Sequence, residues 1–248
     1  MLVDAVTNGT APTPPPKWLR ATQLINQLDG EIRAYLNRNA VPDTSVSGQV
    51  GFRILEGPPE SLSLLLGDAL QNLHSALDHE VHRQAAAHMG ADWSGLERCA
   101  FPTFDDPREY EQQRKRRIGG LRTQVQTAID RFQVCDPDPE PAAAKLRLLN
   151  ALSRTDRHRL LHLTALRLEG VSLRPRQPGK PDERSPLPPP PDDGAVYVDV
   201  SMALGVRFLD GPAAGENIIH TLNDLTVAVA ATIEKLRVVE LRPDPTSA

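Results

Sequence analysis

Four polar side chains recur at helical spacing in the segment GDALQNLHSALDH, residues 67–79. They are Asp68, Asn72, Ser75 and His79, and we call them the stripe. At 100° per residue they share one side of a helix, opposite an apolar face. Short polar residues are poor helix formers, so a purely solvated face would favour Lys, Glu or Gln. Histidine exchanges protons near neutral pH, so the stripe predicts a catalytic site with His79 as its acid or base. A solvated face and a buried hydrogen-bond network are the two structural alternatives.

A second polar line runs beside the stripe on the same predicted helix. His74, Asp78 and His82 follow each other at intervals of four residues. Imidazole and carboxylate groups at this spacing can bind a divalent metal ion. The primary expectation is nevertheless a protein without a cofactor, with these three residues as the alternative metal ligands.

A third cluster lies in the segment SRTDRHR, residues 153–159. Asp156 and His158 are added to the catalytic candidates, and Arg159 is predicted to bind phosphate because a guanidinium fork contacts two oxygens. The structural alternative is that Thr155 or Asp156 caps a helix and the arginines are solvated.

The most basic run of the chain is RKRRIGGLR, residues 114–122. A charge run is commonly a solvated face, but this one is the best candidate for contact with a polyanion. Its predicted phosphate ligands are Arg114, Arg116 and Arg117.

Six helices and four strands are predicted to position these residues. Apolar periodicity indicates helices at about 18–37, 59–88, 106–119, 121–133 and 216–237, with another over AAAKLRLLNAL. Alternation indicates strands in QVGFRIL and HLTALRLEGV, and a hairpin formed by AVYVDV and LGVRFLDG. The fold class is therefore α+β, mainly a helical bundle with a small antiparallel β-sheet.

The domain organisation follows from the same pattern. Residues 1–16 are polar and Pro-rich and are predicted to be a disordered arm. Residues 17–240 are expected to form a single domain, with 174–192 as a flexible Pro-rich loop and 241–248 as a tail.

Composition excludes several classes of protein. The chain has 248 residues, a net charge of −4 and two cysteines, so neither a strongly basic nucleic-acid binder nor a disulfide scaffold is indicated. No signal peptide or membrane-spanning run is recognised, which predicts a cytoplasmic protein without a membrane partner. Abundant Arg, Ala and Pro are typical of a GC-rich bacterial genome. HExxH, GxSxG and Gly-rich phosphate-loop motifs are not found.

Three segments in order, GDALQNLHSALDH, FPTFDDPREY and LSRTDRHRLL, resemble a group of uncharacterised bacterial proteins. That group is expected to carry GDxLHNLRSALDH, FPIFDD and DKHR, and the likeness covers residues from about 60 to 165. It implies no particular activity.

The same helix more loosely resembles the HEPN superfamily of helical, often dimeric proteins. Many of these are RNases with an arginine four to six residues before a histidine. His79 matches that histidine, whereas His74 stands where the arginine would be. The resemblance implies RNA or a nucleotide as ligand and raises a homodimer as the assembly.

Three hypotheses therefore follow. The first is a HEPN-like helical protein that acts on RNA or a nucleotide through His79. The second is a metal-dependent hydrolase that uses the His/Asp cluster. The third is a non-catalytic binding or interaction module, and the sequence leaves open whether the protein is an enzyme.

Overall fold

The computed structural model describes residues 13–43, 51–133, 136–176 and 197–241. Six α-helices dominate this described part: α1 (Pro16–Asn39), α2 (Glu60–Met89), α3 (Pro107–Ile118), α4 (Thr123–Asp130), α5 (Ala143–His158) and α6 (Ile218–Glu240). Four strands accompany them: β1 (Ala40–Asp43), β2 (Gly51–Ile54), β3 (Leu163–Arg176) and β4 (Tyr197–Phe208). The predicted mainly helical α+β class is confirmed.

Helix α2 is the central element, because it packs against α1, α5 and α6. Its predicted apolar face is buried, including Leu62, Leu66, Leu70, Leu73 and Leu77. Leucines three and four residues apart fall on one side of a helix, so they enter one shared core. Most of what remains of α2 is therefore available for polar side chains.

The strands pair as two separate antiparallel hairpins in the described residues. Strand β2 pairs with β1, for example Phe52 opposite Pro42, and β3 pairs with β4, for example Leu173 opposite Val200. The expected hairpin between AVYVDV and LGVRFLDG was wrong, since residues 197–200 of the first segment and 204–208 of the second belong to one continuous strand. The residues SMA between them supply no Gly, Pro or Asn turn, so the chain runs on and pairs with β3.

Two predicted helix ends can be compared directly with the structure. Asp106 caps α3 as expected, because its side chain accepts a hydrogen bond of 2.8 Å from the backbone N–H of Arg108. Asp156 and Thr155 cap no helix, since α5 continues without a break to His158. Ala, Leu, Lys and Arg favour that continuation more than Asp156 opposes it.

Other predicted boundaries fall partly outside the described residues. Residues 1–12 of the predicted arm, residues 177–192 of the predicted loop and residues 242–248 of the predicted tail are among them. Residues 174–176 belong to β3, and helix α1 begins at Pro16.

A buried ion network joins α2 to α6. Glu80 is 2 % exposed, and its two carboxylate oxygens accept hydrogen bonds from Arg83, Gln84 and Arg237 at distances of 2.7 to 3.2 Å. Burial by itself would raise the pKa of Glu80, but the hydrogen bonds from Arg83, Arg237 and Gln84 outweigh it and lower that pKa. The charges of this network are therefore satisfied within the protein.

Candidate functional site

A polar cleft lies where α2, α5 and the segment 100–105 meet, beside α3. It has a volume of about 640 Å³, within the range typical of small-molecule sites. We call it the cleft, and its polar side chains are His74, Asp78, Thr103, Asp105, Glu109, Arg117, Asn150, Arg154, Arg157 and His158. Helices therefore hold most of its functional groups in place.

Close packing of α2 against α5 brings two walls of the cleft together. Gly67 leaves room for the carboxylate of Asp156, which a side chain at position 67 would overlap. One helical turn further along α2, Gln71 donates a 2.9 Å hydrogen bond to the backbone carbonyl of Ser153. The glycine of GDALQN therefore has a structural function, which is to permit the close helix approach.

A third wall is the segment 100–105, which is held by hydrogen bonds from three directions. Asp78 Oδ1 accepts from the backbone N–H of Phe101 at 2.9 Å. Gln133 and Asn150 donate to the carbonyls of Pro102 and Thr103, each at 3.1 Å. Because these partners come from different elements, the wall is preorganised before any ligand binds.

His74 and Asp78 form an acid–base pair at the edge of this wall. His74 Nδ1 lies 3.3 Å from Asp78 Oδ2, while the other carboxylate oxygen is held by Phe101. A carboxylate accepts hydrogen bonds, so this contact favours a proton on Nδ1 and leaves Nε2 free to accept one. The side chain of His74 is 20 % exposed, so it remains accessible to solvent.

Positive charge comes mainly from three arginines, Arg117 on α3 and Arg154 and Arg157 on α5. No ion pair with any other described residue engages them, and the buried Nε of Arg117 has no hydrogen-bond partner there. Arg157 Nε donates at 3.3 Å to the Ser153 carbonyl, which orients the side chain without neutralising its charge. These guanidiniums keep hydrogen-bond donors available for an anion.

Negative charge lies at the rim, where Asp105 and Glu109 border the cleft. Both side chains are exposed, and neither forms an ion pair with another described residue. Glu109 occupies the third position of α3 but makes no described hydrogen bond back to the cap at Asp106. The cleft thus offers both donors and acceptors to a ligand.

The stripe lies outside the cleft. His79 is exposed and is about 140° around α2 from His74 by ideal helix geometry. Asn72 donates a 2.8 Å hydrogen bond to the carbonyl of Asp68 in its own helix, and Ser75 is half-buried. Of the predicted catalytic residues, only His158 therefore lines the cleft.

Asp156 lies at the α2–α5 contact instead. Burial, together with the nearby charge of Asp68, raises the pKa of Asp156, while a hydrogen bond from Gln71 opposes the shift. This carboxylate faces Gly67, so its surroundings are those of a helix-packing contact.

The predicted phosphate ligands are divided among different environments. Arg114 makes two hydrogen bonds to Asp130, at 2.8 and 2.7 Å, and Tyr110 donates to the same carboxylate. Arg159 lies 3.1 Å from Asp210. Arg116 is exposed, and only Arg117 borders the cleft.

The predicted metal ligands are also separated. His74 and Asp78 line the cleft, whereas His82 is exposed and is not part of its lining. Within the described ranges, no three His, Cys, Asp or Glu side chains are grouped so that they could hold a metal ion.

Sequence reasoning missed most of the basic wall, although a signal for it was present. Asn150, Arg154, Arg157 and His158 are separated by four, three and one residues, so they share one side of α5. The angular argument applied to α2 would have found this face had it been extended along α5.

Comparison with protein-family models, with curated proteins and with solved structures finds no match for this chain. Among the helices that the structure describes, none combines the length and apolar character needed to cross a membrane.

Proposed function

We propose that the cleft binds and cleaves RNA, with a nucleotide as the smaller ligand of the same site. The observation that carries this proposal is the combination of two histidines, one of them paired with Asp78, and three unpaired arginines in one preorganised cleft. The stripe offers no comparable combination.

Phosphate recognition is assigned to Arg117, Arg154 and Arg157. Guanidinium groups bind phosphate oxygens in a bidentate manner, and no carboxylate among the described residues forms an ion pair with these three. They also supply the positive charge that the HEPN pattern places on the helix of its histidine. In this chain His74 stands where the HEPN pattern has its arginine, and Arg154 and Arg157 of α5 provide most of the positive charge of the cleft.

Cleavage requires one proton to be removed and one to be supplied. His74 Nε2 accepts the proton of a ribose 2′-hydroxyl, and the 2′-oxygen attacks the adjacent phosphorus. The bond from phosphorus to the 5′-oxygen breaks, and protonated His158 donates its proton to that leaving oxygen. The products are a 2′,3′-cyclic phosphate and a 5′-hydroxyl, and the arginines stabilise the negative charge of the transition state.

The test compares cleavage of a single-stranded RNA by the wild-type protein and by three variants. His74→Ala and His158→Ala should each lower the cleavage rate about 100-fold or more, which is typical of a lost general acid or base. His79→Ala is the matched control, because it removes an exposed histidine of the same helix, and it should cleave at the wild-type rate. Absence of cleavage by the wild type, or equal rates in all four proteins, would overturn the proposal.

The same assay separates the other hypotheses. A metal-dependent hydrolase would lose activity in a chelator and recover it with a divalent ion, whereas the two-histidine mechanism is unaffected. A binding module would retain RNA without cutting it. The cytoplasmic location, the bacterial origin and the homodimer stay predictions of the sequence.

A further inference from the structure

The rim of the cleft carries chemistry that phosphate cleavage does not use. Glu109 borders the cleft from the first turn of α3, without an ion pair or a capping hydrogen bond in the described residues. A carboxylate in the same cleft as three arginines weakens the attraction for a simple anion. Its presence is explained if the ligand also brings hydrogen-bond donors.

An aromatic ring lines the same cleft as this carboxylate, five residues earlier in the chain. Phe104 is half-buried and lines the cleft. Its ring packs against that of Tyr110, with ring centroids 6.3 Å apart at an interplanar angle of 45°. Single-stranded bases are commonly held by stacking on such side chains. The cleft thus contains both an aromatic side chain on which a base can stack and a carboxylate that can accept hydrogen bonds.

We infer that the cleft selects guanine, with Phe104 under the base and the Glu109 carboxylate accepting from its N1–H and N2–H groups. Guanine is the one common RNA base with two adjacent donors on its Watson–Crick edge, which match the two oxygens of a carboxylate. Adenine and cytosine place a ring-nitrogen acceptor beside their amino group, and uracil has one N–H between two carbonyls. This inference rests on the proposed function, since the arginines hold the phosphate of the same nucleotide.

The test is calorimetric titration of the full-length protein with the 5′-monophosphates of guanosine, inosine, adenosine, cytidine and uridine, and with inorganic phosphate. Guanosine monophosphate should bind about tenfold or more tightly than the adenosine, cytidine and uridine compounds. Inosine monophosphate lacks the N2 amino group and should fall between guanosine and adenosine monophosphates.

Three variants locate the effect. Glu109→Gln should remove the preference for guanine, because an amide offers one acceptor and one donor in place of two acceptors. Glu111→Gln, an exposed residue of α3 outside the cleft, should keep it. Phe104→Leu should weaken all five nucleotides by a similar factor and leave the binding of inorganic phosphate unchanged. Unfolding curves that match wild type verify that each variant is folded.

Each result has a definite meaning. Equal binding of all five nucleotides, lost in Arg154→Ala, would overturn guanine selection and leave the phosphate site standing. A guanine preference that survives Glu109→Gln would also overturn the inference. No binding of any nucleotide or of phosphate would overturn the inference and the proposed function together.

Discussion

Two regions that border α2 differ in whether their arginines are paired with a carboxylate of the protein. Around Glu80, the carboxylate is 2 % exposed and three side chains satisfy it. Six residues earlier, His74 faces a cleft in which three arginines have no described carboxylate partner. Cations that the protein itself neutralises contribute to stability, whereas cations left without a partner are available to a ligand.

The largest loss of stability is expected from removing the charge of Glu80, which Arg83 and Arg237 share. Glu80→Gln leaves Arg83 and Arg237 without their shared buried anion, and it should lower the free energy of unfolding by about 3 kcal/mol at neutral pH. Urea denaturation followed by circular dichroism measures this. Asp224→Asn is the control, since it breaks an exposed pair with Lys145 and should cost less than about 1 kcal/mol.

The lowered pKa of Glu80 also predicts how the difference in unfolding free energy between wild type and Glu80→Gln changes with pH. Because the folded-state pKa of Glu80 is lowered, its contribution is fully present above the ordinary value of 4.5 and is lost as the pH falls through the folded-state value. Wild type and Glu80→Gln should therefore converge in stability at low pH. A loss no larger than that of Asp224→Asn would contradict this account of the network.

A smaller effect is expected where the cleft walls meet. Gly67→Ala would place a methyl group against the Asp156 carboxylate, so either the Asp156 side chain must turn away or α2 and α5 must separate. We expect a net cost of about 1 kcal/mol. Gly30→Ala is the matched control: its added carbon meets nothing within 4 Å, and it should stabilise α1 by about 0.5 to 1 kcal/mol. Thermal unfolding of both variants gives the comparison, and equal stabilisation by both would show that the helices do not meet as described.

The smallest effect concerns Asp156 itself. Its raised pKa means that the folded state favours the neutral acid, so the charge disfavours folding as the pH rises above the ordinary value of 3.8. Asp156→Asn should stabilise the protein at neutral pH by less than about 1 kcal/mol, because partial exposure screens the charge. The gain should disappear at low pH in paired unfolding experiments, and a destabilisation at neutral pH would contradict it.

The helical part of the fold was predictable because its signals are local. The leucine spacing of α2 and the Asp106 cap of α3 both appear as expected. Strand pairing depends on contacts between distant segments, so β4 was divided incorrectly at residues 201–203. Periodicity specifies which residues share a face but not which element covers that face.

The candidate site was harder to predict than the fold, because it depends on which elements pack against each helix face. Asp68 and His79 do lie on one side of α2, as their spacing predicts. Asp156 of α5 lies near Asp68, whereas His79 is exposed. His74 was considered as a metal ligand and as the residue at the arginine position of the HEPN pattern, but not as a general base, since nothing local shows that Asp78 would be held by Phe101. The arginines of α5 could have been placed on one face from their spacing, but not opposite α2.

The most direct test of the cleft is an NMR titration of the seven histidine side chains with a nucleoside monophosphate. Alanine variants assign the imidazole signals of His74, His79, His82 and His158. The account predicts saturable chemical-shift changes at His74 and His158, with His79 and His82 unchanged. Shifts at His79 without shifts at His74 and His158 would instead place the functional site on the stripe and contradict the account.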